Sequence, residues 1–214
     1  MASHPDLSAE QAKTAFLAVG SFLVRRLFAG VPPSDDNQLL VSLYEQASKQ
    51  PDRAAALVGE LSRPQYGWPS DPDFLEGVST YPIYFGSHPD RRKLILQALE
   101  ESYQHKSPLR YDQLDLQLIT PLMPRPDWLE ELGVSETQYW KAIGALGNLT
   151  WVPRGRLPDL GVAERKKELF RMARHGLELV RDFSKVERWT AEEIEARSKR
   201  LAERAVSVWP GPTR

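Results

Sequence analysis

The chain has 214 residues, no cysteine, and 28 Lys and Arg against 29 Asp and Glu, a net charge of −1. That length suits one large domain or two small ones with a real core, and the missing thiols exclude disulfide frameworks, zinc–thiolate and iron–sulfur sites and cysteine nucleophiles. The charge balance gives no overall pull toward nucleic acid or acidic lipid, although residues 1–105 carry a net −4 and residues 106–214 a net +3, which places any phosphate-facing surface in the second half.

The opening Met1-Ala2-Ser3-His4-Pro5-Asp6 has no basic segment followed by an apolar one, so no signal peptide is visible and a cytoplasmic protein is expected. A first helix should start after Ser8, which stands at capping-box spacing from Gln11, and should end at Gly30 before Pro32-Pro33. Its apolar stretch Ala15–Val24 is too short to span a membrane and reads as a buried helix face. Further helices are expected over Ser34–Ser48, Asp52–Leu61, Asp71–Val78 and Asp90–Tyr103, with a loop over Arg63–Ser70.

The texture changes near residue 106, where a domain boundary is expected between a helical segment, 1–105, and a second domain, 106–214. Leu114, Leu116 and Leu118 alternate with Asp115 and Gln117, the pattern of a short strand, before a loop with Pro121, Pro124 and Pro126. Ser135 and Gln138 open another helix that stops at Gly144 or Gly147, and Asn148–Val152 is a strand candidate. Two helices follow, Val162–Arg181 and Thr190–Val208. The fold class is therefore mainly α with a small β component: a helical first half, a strand–strand–helix unit and two C-terminal helices.

The four histidines, His4, His88, His105 and His175, show no spacing that would set two metal ligands on one helical face. His88 before Pro89 reads as a helix-entry turn and His175 as a surface or cap residue. Neither a Gly-x-Ser-x-Gly elbow nor a phosphate-cradling glycine loop occurs. The strongest local charge feature is Arg154, Arg156, Arg165, Lys166, Lys167, Arg171 and Arg174. Such a cluster can neutralise phosphates, and a solvated amphipathic helix explains it equally.

The order of local motifs carries more. Phe22-Leu23-Val24-Arg25-Arg26 is followed by Gly147-Asn148-Leu149-Thr150-Trp151 and Glu164-Arg165-Lys166-Lys167. Arg181-Asp182-Phe183, Trp189-Thr190, Glu193-Ile194-Glu195, Arg197, Leu201-Ala202 and Trp209-Pro210 complete the series. Together they resemble the C-terminal region of the GmrSD restriction endonuclease family, modification-dependent systems whose C-terminal domain is an HNH-type nuclease. The resemblance covers nearly the whole chain and implies that 1–105 matches the helical segment preceding the nuclease and 106–214 the nuclease domain. It also implies double-stranded DNA, modified or not, as partner, with the basic side chains Arg154, Arg156, Arg165, Lys166, Lys167 and Arg171 facing it. A separate nucleotide-hydrolysing protein would be the companion.

An HNH site holds one divalent metal against the scissile phosphate while a histidine deprotonates the attacking water. The family's Glu-His-x-x-Pro stretch corresponds here to Thr120-Pro121-Leu122-Met123-Pro124, so Pro121 takes the histidine position and Thr120 the glutamate. Proline offers neither a side-chain proton acceptor nor a backbone donor. Asn148 matches a family asparagine that the resemblance implies orients the site, with a strand-entry cap as the alternative. Asp159 stands in the loop where the family has asparagines and is the remaining candidate site carboxylate.

The leading expectation is a degenerate member that lacks the general base and is inactive as a nuclease, with no resident cofactor, and serves as a DNA- or partner-facing module of a restriction or phage-defence system. The alternatives are an active nickase using Mg²⁺ or Mn²⁺ on substitute ligands such as Asp115, Asp127 or Asp159, and a helical interaction module without a nucleic-acid role.

Overall fold

The computed structural model describes residues 8–32, 36–123, 125–155, 160–173 and 176–212. Within them the chain is mainly helical, with eleven α-helices and one two-stranded antiparallel sheet. It divides into two compact units, Met1–Gly77 with Ala205–Arg214, and Val78–Arg204. Residue 106 lies inside the second unit.

The first unit contains α1 (Ala9–Phe28), α2 (Asp36–Ala47), α3 (Arg53–Leu61), most of α4 (Asp71–Thr80) and the last turn of α11 (Ala191–Val208). The Ser8–Gln11 capping box is formed in both directions: the Ser8 amide donates to the Gln11 side chain and the Gln11 amide to the Ser8 hydroxyl, each at 3.1 Å. Asp52 caps α3 by accepting the Ala55 amide at 3.0 Å. Phe22, Leu43, Ala47, Leu57 and Leu61 form the core of these helices, with Trp68 edge-on to Phe22. The apolar stretch of α1 is only partly a buried face: Phe22 is enclosed, whereas Phe16 is 78% exposed. Ten consecutive apolar or small residues wrap all round a 3.6-residue helix, so a single neighbouring surface cannot cover them all.

The second unit holds α5 (Ile83–Gly86), α6 (Pro89–Glu101), β1 (Leu114–Leu118), α7 (Pro126–Leu132), α8 (Glu136–Gly144), β2 (Leu149–Pro153), α9 (Val162–Ala173), α10 (Glu178–Ser184) and the rest of α11. β1 and β2 pair antiparallel with Leu116 opposite Trp151 and Leu118 opposite Leu149. Two strands alone are marginal in water. Here α9 and α10 pack on each other and on β2, whose first four residues are all buried. The order β1, β2, α9 is the strand–strand–helix unit expected from the sequence, with α7 and α8 inserted between the strands.

Two expectations are corrected. The helix over Val162–Arg181 is two helices, because Gly176 adopts φ +86° and Leu177 is extended, which breaks the ladder between α9 and α10. The proline-rich stretch after β1 is not all loop: Pro126, at the first turn where its missing N–H costs nothing, begins α7, and Gly133 at φ +63° ends it. The short α5 also escapes a reading based on periodicity, since four residues carry no helical period.

Candidate functional site

Three of the residues that the sequence singles out, Thr120, Pro121 and Asn148, meet where β1 leaves the sheet and β2 enters it. The ladder runs one step past the strands, with the Ile119 amide donating to the Asn148 carbonyl at 2.8 Å. The Asn148 side chain, fully buried, then clamps the next residue: its Oδ1 accepts the Thr120 amide at 2.9 Å and its Nδ2 donates to the Thr120 carbonyl at 3.1 Å. The second proton of Nδ2 goes to the Ile143 carbonyl at the end of α8, also at 3.1 Å. A carboxamide is the side chain for this task, because it alone presents an acceptor oxygen and two donor protons in one plane to the N–H and C=O of a single residue.

Thr120 is equally enclosed, and its hydroxyl accepts the Trp189 indole N–H at 3.1 Å. Beyond it the chain turns outward. The Tyr139 hydroxyl reaches the carbonyls of Pro121 and Leu122 at 2.7 and 2.9 Å, and burial pushes its own pKa up to about 12. Leu122 and Met123 then face solvent, Met123 at 87% exposure.

The other side of the unit is tied by buried ions. Arg197 of α11, wholly enclosed, donates to the carbonyls of Gly147, Leu149 (2.9 Å) and Leu179 (2.8 Å), so one guanidinium fixes the entry of β2 against α10. Gly147 allows this approach: a Cβ there would fall on the Ile194 carbonyl and 2.6 Å from the Ser198 hydroxyl. Glu100, also enclosed, accepts the Glu178 and Leu179 amides at 2.7 and 3.0 Å at the start of α10, and the His105 ring nitrogen Nε2 lies 2.7 Å from the Glu100 carbonyl. Burial raises the Glu100 carboxyl above its ordinary range, outweighing the two amides and His105 that lower it. Glu131 shows the opposite balance: burial acts to raise it, but the Trp189 amide, Lys166 and Arg188 together hold it below its ordinary value.

The described members of the basic cluster do not form one surface. Arg165 is buried and donates to the Leu118 carbonyl at 2.6 Å, bracing α9 against β1. Lys166 is half-buried, bonded to Glu131 at 3.1 Å and to the Glu187 carbonyl. Lys167 and Arg171 are exposed on α9, with Arg171 paired to Glu168, and exposed Arg154 stands 3.8 Å from Asp115. Arg156, Asp159, Arg174 and His175 lie outside the described residues. His88 caps α6, accepting the Asp90 amide at 3.4 Å, the turn role expected of it.

The donor chemistry at the Thr120–Asn148 corner does not fit a divalent cation. Its described side chains are a proline, a hydroxyl and a carboxamide, the last two enclosed and already accepting hydrogen bonds, whereas Mg²⁺ and Mn²⁺ require several available oxygens. Of the substitute carboxylates, Asp115 faces Arg154, and Asp127 accepts the Val162 amide at 3.2 Å with Arg125 beside it at 3.4 Å. Among the described residues no three His, Asp or Glu side chains stand together in a metal-holding group. No helix among them is long and apolar enough to cross a membrane.

Sequence reasoning reached Asn148, Thr120 and Pro121 through their order in the motif series. It missed Glu100 and Glu131, which lie in ordinary amphipathic helices and whose burial has no local signal. No protein-family model, curated protein or solved structure matches the chain.

Proposed function

We propose that this chain is a degenerate relative of the GmrSD C-terminal HNH nuclease domain, a cytoplasmic DNA-facing module of a restriction or phage-defence system that has kept the strand–strand–helix scaffold without its hydrolytic chemistry. One observation carries the reading: Asn148 commits both amide protons and its carbonyl oxygen to the backbone of Thr120 and to Ile143, and the residue after Thr120 is Pro121. The two positions that would orient and deprotonate water serve to close the corner of the sheet. The order β1, β2, α9 and the glycine demanded at 147 accord with the same motif series.

DNA contact in this reading falls to the exposed cations Arg154, Lys167 and Arg171, with Arg165 bracing the fold. The test is fluorescence anisotropy of a labelled DNA duplex across a salt series. Binding at low salt that weakens with a log–log slope of about −2 to −3, and that falls at least tenfold in Lys167→Glu/Arg171→Glu, supports the reading. No binding at low salt, or binding indifferent to these charges, removes DNA as the partner.

A further inference from the structure

In the first unit a dense set of contacts holds the segment Trp209–Gly211. Arg25, wholly enclosed on α1, donates through Nε to the Trp209 carbonyl at 2.8 Å, through Nη1 to the Pro69 carbonyl at 3.0 Å and through Nη2 to Asp71 at 2.5 Å, with its guanidinium 4.6 Å above the Phe74 ring. One turn earlier, the Ser21 hydroxyl donates to the Pro210 carbonyl at 2.6 Å. The Trp209 ring is buried edge-on against Phe74, and Gly211 sits where a Cβ would come 2.9 Å from Asp71 Oδ1 and 3.0 Å from Arg25 Nη1.

These contacts read sequence. An aromatic ring takes a tryptophan, two donors take two successive carbonyls, proline brings no amide hydrogen that would need a partner, and at the last position a side chain would have to displace Asp71 or Arg25. The geometry points to a peptide-recognition site on the first unit, specific for a Trp-Pro-Gly segment and filled in this structure by the chain's own Trp209–Gly211 strap. The same site accepts a Trp-Pro-Gly segment presented by another polypeptide once the internal strap is displaced. This inference is independent of the nuclease-like reading, since every residue in it belongs to the first unit.

The test uses a fluorescein-labelled peptide with the sequence of residues 205–214 and the full chain. The internal strap competes at the high effective concentration of a tethered ligand, so the unmodified chain should bind the peptide weakly. Gly211→Ala, which presses the strap against Asp71 and Arg25 and so weakens its hold, should bind it at least tenfold more tightly, and adding Ser21→Ala should reverse most of that gain. A peptide with alanine for tryptophan should not compete. A folded Gly211→Ala chain that binds no better than the unmodified one, or an alanine peptide that competes equally, overturns the proposal. Should Gly211→Ala not fold, hydrogen exchange on the unmodified chain decides: millimolar peptide should accelerate exchange of the Trp209 amide, which is bonded to the Ala205 carbonyl at 2.8 Å, and an unchanged rate overturns the site.

Discussion

Asn148 grips both backbone polar groups of Thr120, the Thr120 amide on Oδ1 at 2.9 Å and the Thr120 carbonyl on Nδ2 at 3.1 Å. Asn148→Ala leaves that amide, that carbonyl and the Ile143 carbonyl without partners in an enclosed corner. A loss of about 3 kcal/mol in urea-unfolding free energy is expected. Asn148→Asp should be no better, because a carboxylate cannot donate to either carbonyl. A wild-type stability for either variant would deny Asn148 its structural role.

Arg197 presents the same logic with a charge. Arg197→Met leaves the Gly147, Leu149 and Leu179 carbonyls facing an apolar chain and should cost about 2–4 kcal/mol, the penalty of buried acceptors left without this donor. Arg197→Lys should recover little, since one ammonium on a flexible stem cannot span three carbonyls that a planar fork reaches together. Chemical denaturation of both variants checks this.

Gly147→Ala should be among the most damaging single substitutions. The added methyl meets the Ile194 carbonyl and the Ser198 amide of α11, backbone groups that cannot rotate aside. The expected outcome is a large drop in thermal midpoint, with Gly59→Ala on α3, where nothing lies within 4 Å of the new Cβ, showing no such loss.

The raised Glu100 carboxyl fixes the sign of a pH dependence. A carboxyl with a higher pKa in the folded chain binds protons more tightly there than when unfolded, so its contribution is fully present below the ordinary value of 4.5 and is lost as pH rises through the folded pKa. Unfolding free energy measured from pH 4.5 upward should therefore contain a falling component that disappears in Glu100→Gln. An identical profile for the variant would mean that Glu100 titrates normally.

Much of the scaffold was legible because it is written in local patterns. The Ser8–Gln11 and Ser135–Gln138 capping boxes, the alternation of Leu114, Leu116 and Leu118 and the five helices expected in the first 105 residues all appear where spacing places them. The break between α9 and α10 was hidden because Arg171–Leu177 keeps a helical composition and Gly176 alone gives the signal. The corner was half legible. Asn148 stood out by its motif, but its partner Thr120 is 28 residues away in sequence and Trp189, which bonds the Thr120 hydroxyl, 69 residues from Thr120, and only the folded chain joins them. Arg165 looked like a surface cation within a run of basic residues, and its turn into the core depends on β1 lying beneath α9.

The central claim, a retained scaffold without hydrolytic chemistry, is tested most directly by incubating the purified chain with supercoiled plasmid in Mg²⁺ and in Mn²⁺ and following relaxation to nicked circles. The plasmid should remain supercoiled at every protein concentration. Nicking that depends on the added metal and is removed by Asp115→Ala or Asp127→Ala in a protein of unchanged stability would contradict the account.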